Sequence, residues 1–522
     1  MKKKKAAPRE TTMPQALRLY VYFSAAITGA AIMIIEILGA KMLAPFMGTS
    51  HFVWTAQIAV TLVALATGYY AGGRLADRSP RLAVLYVAIL VAAIYLGLTI
   101  AIIEPIAYWC LKFKLATGSL LASGILFFVP LALLAMVGPF LMRVITTSLQ
   151  NVGANIGRLT SISTLGSFAG TILIGYFLIP FMPNSMTLYL TSGLLMVIVA
   201  VYFLVWERSA PTLIALGCGS GLGLVLGFGG VSKEALVDTS RTLELYRSNS
   251  NFGLLQVLQD RDRNARYYMN DFLIQNIYDP VEKKSMALFT YMLHDLAQAY
   301  TPKIERALCI GLGVGIVPSE FARDGVQVDA VEINPAVVKV AHDHFDCEIN
   351  NLHINIGDGR QFVNQAGQSY DTVILDAFLG DSSPSHLMSR EAFKGIKRIL
   401  KPEGTLVINS FGEFDTGKNF FCASIDKTLR TVFKSVKVHA NGNGNVFFVA
   451  SESADLKIRS EPDFDDVHWS TRRAAEDAFA GLQTINPKDG IVLTDDFNPV
   501  DYYDADNRES HRRRLAFRMR SL

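Results

Sequence analysis

Seven apolar stretches follow one another between about residues 20 and 230, and no soluble fold accommodates that pattern. A helix needs about 20 mostly apolar residues to cross the hydrocarbon core of a bilayer. The stretches at roughly 20–45, 52–72, 82–105, 116–142, 159–181, 185–205 and 211–230 each approach or exceed that length. Short polar breaks separate several of them, among them Gly72-Gly73-Arg74-Leu75-Ala76-Asp77-Arg78 and Trp206-Glu207-Arg208. The expected architecture for residues 19–230 is therefore an α-helical transmembrane bundle of about seven spans. The lysines at the start resemble the charged region of a signal peptide. The apolar stretch behind them is too long for one, and six more follow, so an uncleaved first span is expected.

Only 18% of the 522 residues are charged, against about a quarter in soluble domains, and the shortfall lies in this first part. From Lys233 onward charges recur every few residues, which puts a domain boundary near residue 231. Positive residues alternate between the ends of the spans. The N-terminal lysines, Arg74, Arg78, Arg81, Arg143, Arg158 and Arg208 fall on one side, and mainly Lys112 and Lys114 on the other. The positive-inside rule places the first set in the cytoplasm, as expected for a multi-pass protein of the plasma (inner) membrane. Seven crossings would put the C-terminal part outside, away from where nucleoside cofactors are made, so its side stays open. The basic segment 1–18 and the basic tail 506–522 read as membrane-facing or solvated ends, with no nucleic-acid partner.

Within the spans, Gly166 and Gly170 have the spacing that lets helices approach closely in lipid. Glu36 is the one centrally placed acid. A charge there costs about 2.5–3.5 kcal/mol on insertion scales. It is expected either to be protonated or paired inside the bundle, or to bind a cationic solute. The five cysteines show no CxxC spacing, so neither a disulfide framework nor a zinc site is expected.

Residues 231–283 read as a linker and a small β subdomain, with strands at Gly253–Leu258 and Ala265–Met269. A helix is expected over Lys284–Tyr300, with Met286, Phe289, Leu293 and Leu296 on one face. Strands and helices then alternate through residues 284–505, and Asn441-Gly442-Asn443-Gly444 signals a closing hairpin. This is the layout of an AdoMet-methyltransferase-like α/β domain, with helices covering a mostly parallel sheet.

Acids and glycines mark successive strand ends. Gly311-Leu312-Gly313-Val314-Gly315 follows the first strand, where glycines let backbone pass close to a nucleoside. Glu332 ends the next strand and can accept from both ribose hydroxyls. Asp358, followed by Gly359, comes after the third strand and is placed to accept from an adenine amino group. Asp376 closes the fourth, where it could take a proton from an attacking amine. The loop beyond it contains Asp381 and His386. The acids are spread over strand ends without clustered His or Cys, so no metal is expected.

Residues of about 242–500 resemble the spermidine synthase (polyamine aminopropyltransferase) family, in the subgroup fused behind a multi-span membrane domain. Further matching stretches are Leu43-Ala44-Pro45, Trp54-Thr55, the Gly72–Arg78 segment, Ser163-Thr164-Leu165-Gly166-Ser167 and Leu493-Thr494-Asp495-Asp496-Phe497-Asn498-Pro499-Val500. The resemblance implies transfer of an aminopropyl group from decarboxylated AdoMet to putrescine or a related amine, in a homodimer. It implies Glu332 as the ribose acid, Asp358 as the adenine contact and Asp376 as the acid accepting the amine's proton. Gln275, Tyr291, Asp381 and His386 are implied on the substrate side. The sequence departs from the family at Val314, where an aspartate is usual, and at Gly253, often glutamine. Its Tyr-His-Glu-Met-Leu motif is reduced to Phe289-Thr290-Tyr291-Met292-Leu293. Two other readings therefore stand beside the first: a methyltransferase using intact AdoMet, and a transporter or sensor whose C-terminal domain only binds a nucleoside or polyamine.

Overall fold

The computed structural model describes residues 13–48, 51–146, 152–208, 210–232, 238–250, 252–348, 352–378, 384–415 and 417–499. The chain divides into two compact units, Met1–Ala235 and Leu236–Leu522.

The first unit is helical. Six helices are long and apolar enough to cross a membrane: α1 (Gln15–Met47), α2 (His51–Arg78), α3 (Leu82–Cys110), α4 (Leu115–Ile145), α5 (Val152–Phe181) and α6 (Asn184–Trp206). The seventh expected span coincides with α7 (Ala210–Ser232), whose described apolar stretch, Gly217–Gly229, is shorter. Small residues set the helix contacts. A Cβ on Gly166 would run into the Ala26 carbonyl, and one on Gly170 would sit 2.6 Å from the Ala30 carbonyl, so α5 lies directly on α1. Ser167 Oγ donates to the Gly29 carbonyl across the same seam at 3.1 Å. Arg143 pairs with Asp77 at 3.3 Å, joining the C-terminal ends of α2 and α4.

The second unit opens with a five-stranded antiparallel meander: β1 (Thr242–Ser250), β2 (Gly253–Asp260), β3 (Ala265–Asn270), β4 (Leu273–Asp279) and β5 (Lys284–Ser285). Here the sequence expectation needs correction, because Lys284 and Ser285 belong to this sheet and α8 starts only at Leu288 (Leu288–Tyr300). The Ser285 hydroxyl donates to Asn276 Oδ1 at 3.1 Å and accepts from the Ala287 amide at 3.1 Å. Such local bonding competes with helical pairing.

A seven-stranded sheet follows. Its strands are β6 (Arg306–Ile310), β7 (Gln327–Glu332), β8 (His353–Ile356), β9 (Tyr370–Leu375), β10 (Leu400–Gly412), β11 (Ser435–Ala440) and β12 (Gly444–Ser451). They lie in the order β11-β12-β10-β9-β6-β7-β8. The central pairs are parallel, while β12 runs antiparallel to β10 and to β11, as the Asn-Gly hairpin signal predicts. Helices α9 (Ile316–Arg323), α10 (Pro335–Phe345), α11 (Gly359–Gln365), α12 (Arg390–Ile399), α13 (Phe420–Arg430) and α14 (Arg472–Ala480) complete the unit. β9 is buried along its whole length and β10 from Gly404 to Ser410, as strands covered on both faces must be. Strand order reverses between β6 and β9, and open parallel sheets bind ligands beyond the carboxyl ends of strands at such a point.

Candidate active site

A cleft opens at that reversal. Gly311 leaves β6 and Asp376 leaves β9 side by side, and the Asp376 amide donates to the Ile310 carbonyl at 2.9 Å. Gly311 has φ +96°, and a Cβ there would strike the Asp376 carbonyl. Only glycine fits both conditions. Gly313 also has positive φ, +54°, but among the described residues nothing lies within 4 Å of where its Cβ would be. Gly315, φ +80°, ends the loop as the N-cap of α9.

Glu332 stands at the end of β7, only 8% exposed. One oxygen accepts from the Leu312 amide at 3.1 Å and the other from the Asn334 amide at 2.8 Å. Burial pushes its pKa up, while those amides pull the other way. A carboxylate has about four acceptor positions, and the Leu312, Asn334 and Ile333 amides leave at least one of them for a ligand.

Asp358 caps α11, its Oδ1 accepting from the Gln361 amide at 2.9 Å. Its Oδ2 lies 2.9 Å from His386 Nε2. Burial raises its pKa, but the Gln361 amide and the His386 ring outweigh that and hold it below the ordinary carboxylate value. Asp358, Gly359 and His386 all line the cleft.

Asp376 is half-buried. Its Oδ1 accepts from Asn409 Nδ2 at 2.9 Å. Burial pushes its pKa up to about 6, with the Asn409 bond opposing. Such a carboxyl is poised near neutral pH, where a general base is most effective. Asn445 Nδ2 in turn donates to Asn409 Oδ1 at 3.0 Å, so a relay of two amides from β12 and β10 fixes the acid's orientation.

The remaining wall comes from the meander and α8: Phe252, Tyr268, Asn270, Gln275 and Phe289, with Phe378 and Phe411 opposite. Asn270 Oδ1 is buried and, among the described residues, without a hydrogen-bond partner. Gly253, where the family often has glutamine, has φ +112°, and a Cβ there would strike Asn270 Oδ1.

The cleft thus brings together Gly311, Gly313, Glu332, Asp358, Gly359, Asp376, Gln275 and His386. It does not include Tyr291. That residue points to the other side of α8, where its hydroxyl donates to the Ser285 carbonyl at 2.6 Å and accepts from the His468 amide at 3.3 Å. Phe289 and Thr290 face the cleft instead. Asp381 lies outside the described residues. Glu36, in the other unit, is half-buried on α1.

The family profile described as the spermine/spermidine synthase domain matches residues 286–441. Within the second unit, residues 286–441 thus carry a spermine/spermidine synthase domain. The chain is 40% identical over 140 residues to a polyamine aminopropyltransferase of Vibrio vulnificus, covering 26% of this chain and 46% of that protein. It is 27% identical over 308 residues to an N-terminal histidine N-methyltransferase of Emericella nidulans, covering 53% of this chain and 54% of that one. The chain spans about half the length of these curated relatives. A crystal structure of spermidine synthase from Thermotoga maritima aligns at 17% identity and TM-score 0.36, covering 46% of this chain and 84% of that one.

In the second unit the site residue that the sequence motifs leave unmarked is Asn409. Its only signal is a polar side chain ending the apolar run Leu406-Val407-Ile408 of β10, at the same sheet edge as the acids.

Proposed function

We propose that the protein is a membrane-bound aminopropyltransferase that transfers the aminopropyl group of decarboxylated AdoMet to putrescine or a related amine. The observation that carries this reading is Asp376. It is an acid with a pKa raised to about 6, held by Asn409 at the point of strand reversal beside the glycine loop. Glu332 would accept from the ribose hydroxyls, and Asp358 with Gly359 would border the adenine. The sulfonium-bearing arm would then reach toward Asp376 through the space beside Gly313.

In the reaction, the amine nitrogen attacks the methylene next to the sulfonium. A C–N bond forms, the C–S bond breaks with its electron pair passing to sulfur, and a neutral thioether nucleoside leaves. The proton lost by the amine passes to Asp376. Alignment of nitrogen, carbon and sulfur supplies part of the rate, and the base contributes on the order of 10²–10⁴-fold. Gln275, the unpartnered Asn270 Oδ1 and the aromatic wall suit an amine, because ammonium groups are attracted to ring faces. Asp381 is a further candidate contact for the amine. The six long apolar helices support the membrane assignment, and a homodimer is the expected assembly.

A second reading, an AdoMet-dependent methyltransferase, is favoured by Val314. This residue is 2% exposed and lines the cleft, where the family resemblance leads one to expect an acid suited to a decarboxylated cationic arm. Product identification by mass spectrometry separates the two. The purified chain is supplied with either nucleoside and a panel of amines. Aminopropylated product only with the decarboxylated nucleoside supports the first reading; methylated product with AdoMet overturns it. Asp376→Asn is expected to lose at least about 10²-fold in turnover, and undiminished turnover would remove this residue from the mechanism.

A further inference from the structure

Away from the cleft, the turn between β4 and β5 meets the segment that leads into α14. There His468 is 1% exposed, and its Nε2 has no hydrogen-bond partner among the described residues. That nitrogen lies 3.6 Å from Asp279 Oδ2 and 3.6 Å from Glu282 Oε2. All three side-chain atoms lie within 4.8 Å of one another. The separations are too long for N–H···O hydrogen bonds, which span about 2.7–3.2 Å. The two separations from His468 match edges of a coordination shell instead, since donors about 2.0–2.2 Å from a tetrahedral zinc stand about 3.3–3.6 Å apart.

We propose that Asp279, Glu282 and His468 form a divalent-cation site of the zinc class, with a solvent molecule on the open Glu282 side. One imidazole and two carboxylates suit such an ion. The supporting contacts are those a ligand set requires. Asp279 Oδ1 is already held by the Val281 amide at 2.7 Å and the Glu282 amide at 3.1 Å, which leaves Oδ2 to face His468. His468 Nδ1 lies 2.7 Å from Ser470 Oγ and 3.2 Å from the Ser470 amide nitrogen. Without a cation the Ser470 amide donates to Nδ1 and the ring proton sits on Nε2. Binding moves the ring proton from Nε2 to Nδ1, which then donates a hydrogen bond to the Ser470 hydroxyl while the Ser470 amide gives up its bond to Nδ1, and Nε2 gains a free lone pair for the cation.

The site is structural. The His468 amide donates to Tyr291 and the Thr471 hydroxyl to the Met286 carbonyl at 2.8 Å, so this segment already rests on the start of α8. A cation would clamp it to the end of β4, the strand that carries Gln275 into the cleft.

The test uses the full chain in detergent, free of any affinity tag and stripped with EDTA, titrated with Zn²⁺ alone. One equivalent is expected to bind with a Kd at or below the micromolar range and to raise the melting temperature. Glu282 is 44% exposed, so Glu282→Gln should leave metal-free melting unchanged while weakening binding at least tenfold. His468→Gln should abolish it. Zinc held by the exposed Cys218 would be common to all variants and cancels in the comparison. Equal binding by wild type and Glu282→Gln overturns the proposal, including the case in which His468→Gln fails to fold.

Discussion

Asn409 Nδ2 donates to Asp376 Oδ1 at 2.9 Å, across the strand pair β9–β10. This bond favours the charged carboxylate, whereas burial favours the neutral acid, and burial wins, leaving the pKa at about 6. Amine transfer that depends on ionised Asp376 should therefore fall off below pH 6. Asn409→Leu removes the opposing hydrogen bond. A bond to a charged group contributes about 1.5–3 kcal/mol, so the acid limb of kcat/KM should move up by about one to two pH units. A pH–rate profile unchanged by the substitution would separate Asn409 from the chemistry.

The same burial has a cost in stability. The folded-state pKa of Asp376 lies above its ordinary value of 3.8. The native protein thus holds the proton more tightly than the unfolded chain between those two values. Stability from this group is greatest below pH 3.8 and is lost as pH rises through 6. Asp376→Asn should therefore be inactive yet more stable at pH 8, by about 1–2 kcal/mol once partial exposure is allowed for. At pH 4 wild-type Asp376 is largely neutral, and most of that difference should vanish. Thermal melts at the two pH values check both halves. A variant less stable than wild type at pH 8 would mean that the ionised carboxylate has stabilising partners beyond Asn409.

What the sequence revealed of this site follows from chain direction. Each parallel strand is a short apolar run, and the residue that ends it must lie at the carboxyl edge of the sheet. Gly311, Glu332 and Asp376 could therefore be assigned to one edge before any coordinates. Tyr291 does not line the cleft because one residue along a helix turns the side chain by about 100°, and the start of α8 at Leu288 depends on the pairing of β5 with β4. Asn409 leaves only a faint mark, a polar end to the apolar run of β10, and the meeting of His468 with Asp279 and Glu282 leaves none, because these partners come together only through tertiary packing. In the helical unit, the length and apolarity of six spans were plain from composition.

The glycine loop separates strain from access. Gly311→Ala places a methyl group in the Asp376 carbonyl at φ +96°. Backbone strain of this kind costs about 1–3 kcal/mol before the clash is added, so this variant should lose both stability and activity. Gly313→Ala meets open space at φ +54° and should cost only about 1 kcal/mol. Its methyl group would nonetheless occupy the room where a nucleoside arm is proposed to lie. The expected outcome is a near-normal melting curve with nucleoside affinity reduced about tenfold or more, read by calorimetry. Full affinity in Gly313→Ala would argue against a ligand path beside that residue.

The seam between α1 and α5 makes a comparable demand in the first unit. Gly166 and Gly170 lie against the backbone at Ala26 and Ala30, whereas no described residue stands within 4 Å of a Cβ at Gly175 on the same helix. Close approach of this kind is how helices associate in lipid, where burial from water gives no drive. Gly166→Leu must push the two helices apart and break the Ser167–Gly29 hydrogen bond. Gly175→Leu has room for the same side chain, and its effect is limited to helix propensity, where leucine is better than glycine. In detergent, Gly166→Leu should lower the melting temperature by several degrees and Gly175→Leu should leave it level or higher. Equal destabilisation by both would mean that the seam is not the contact that holds α5 in place.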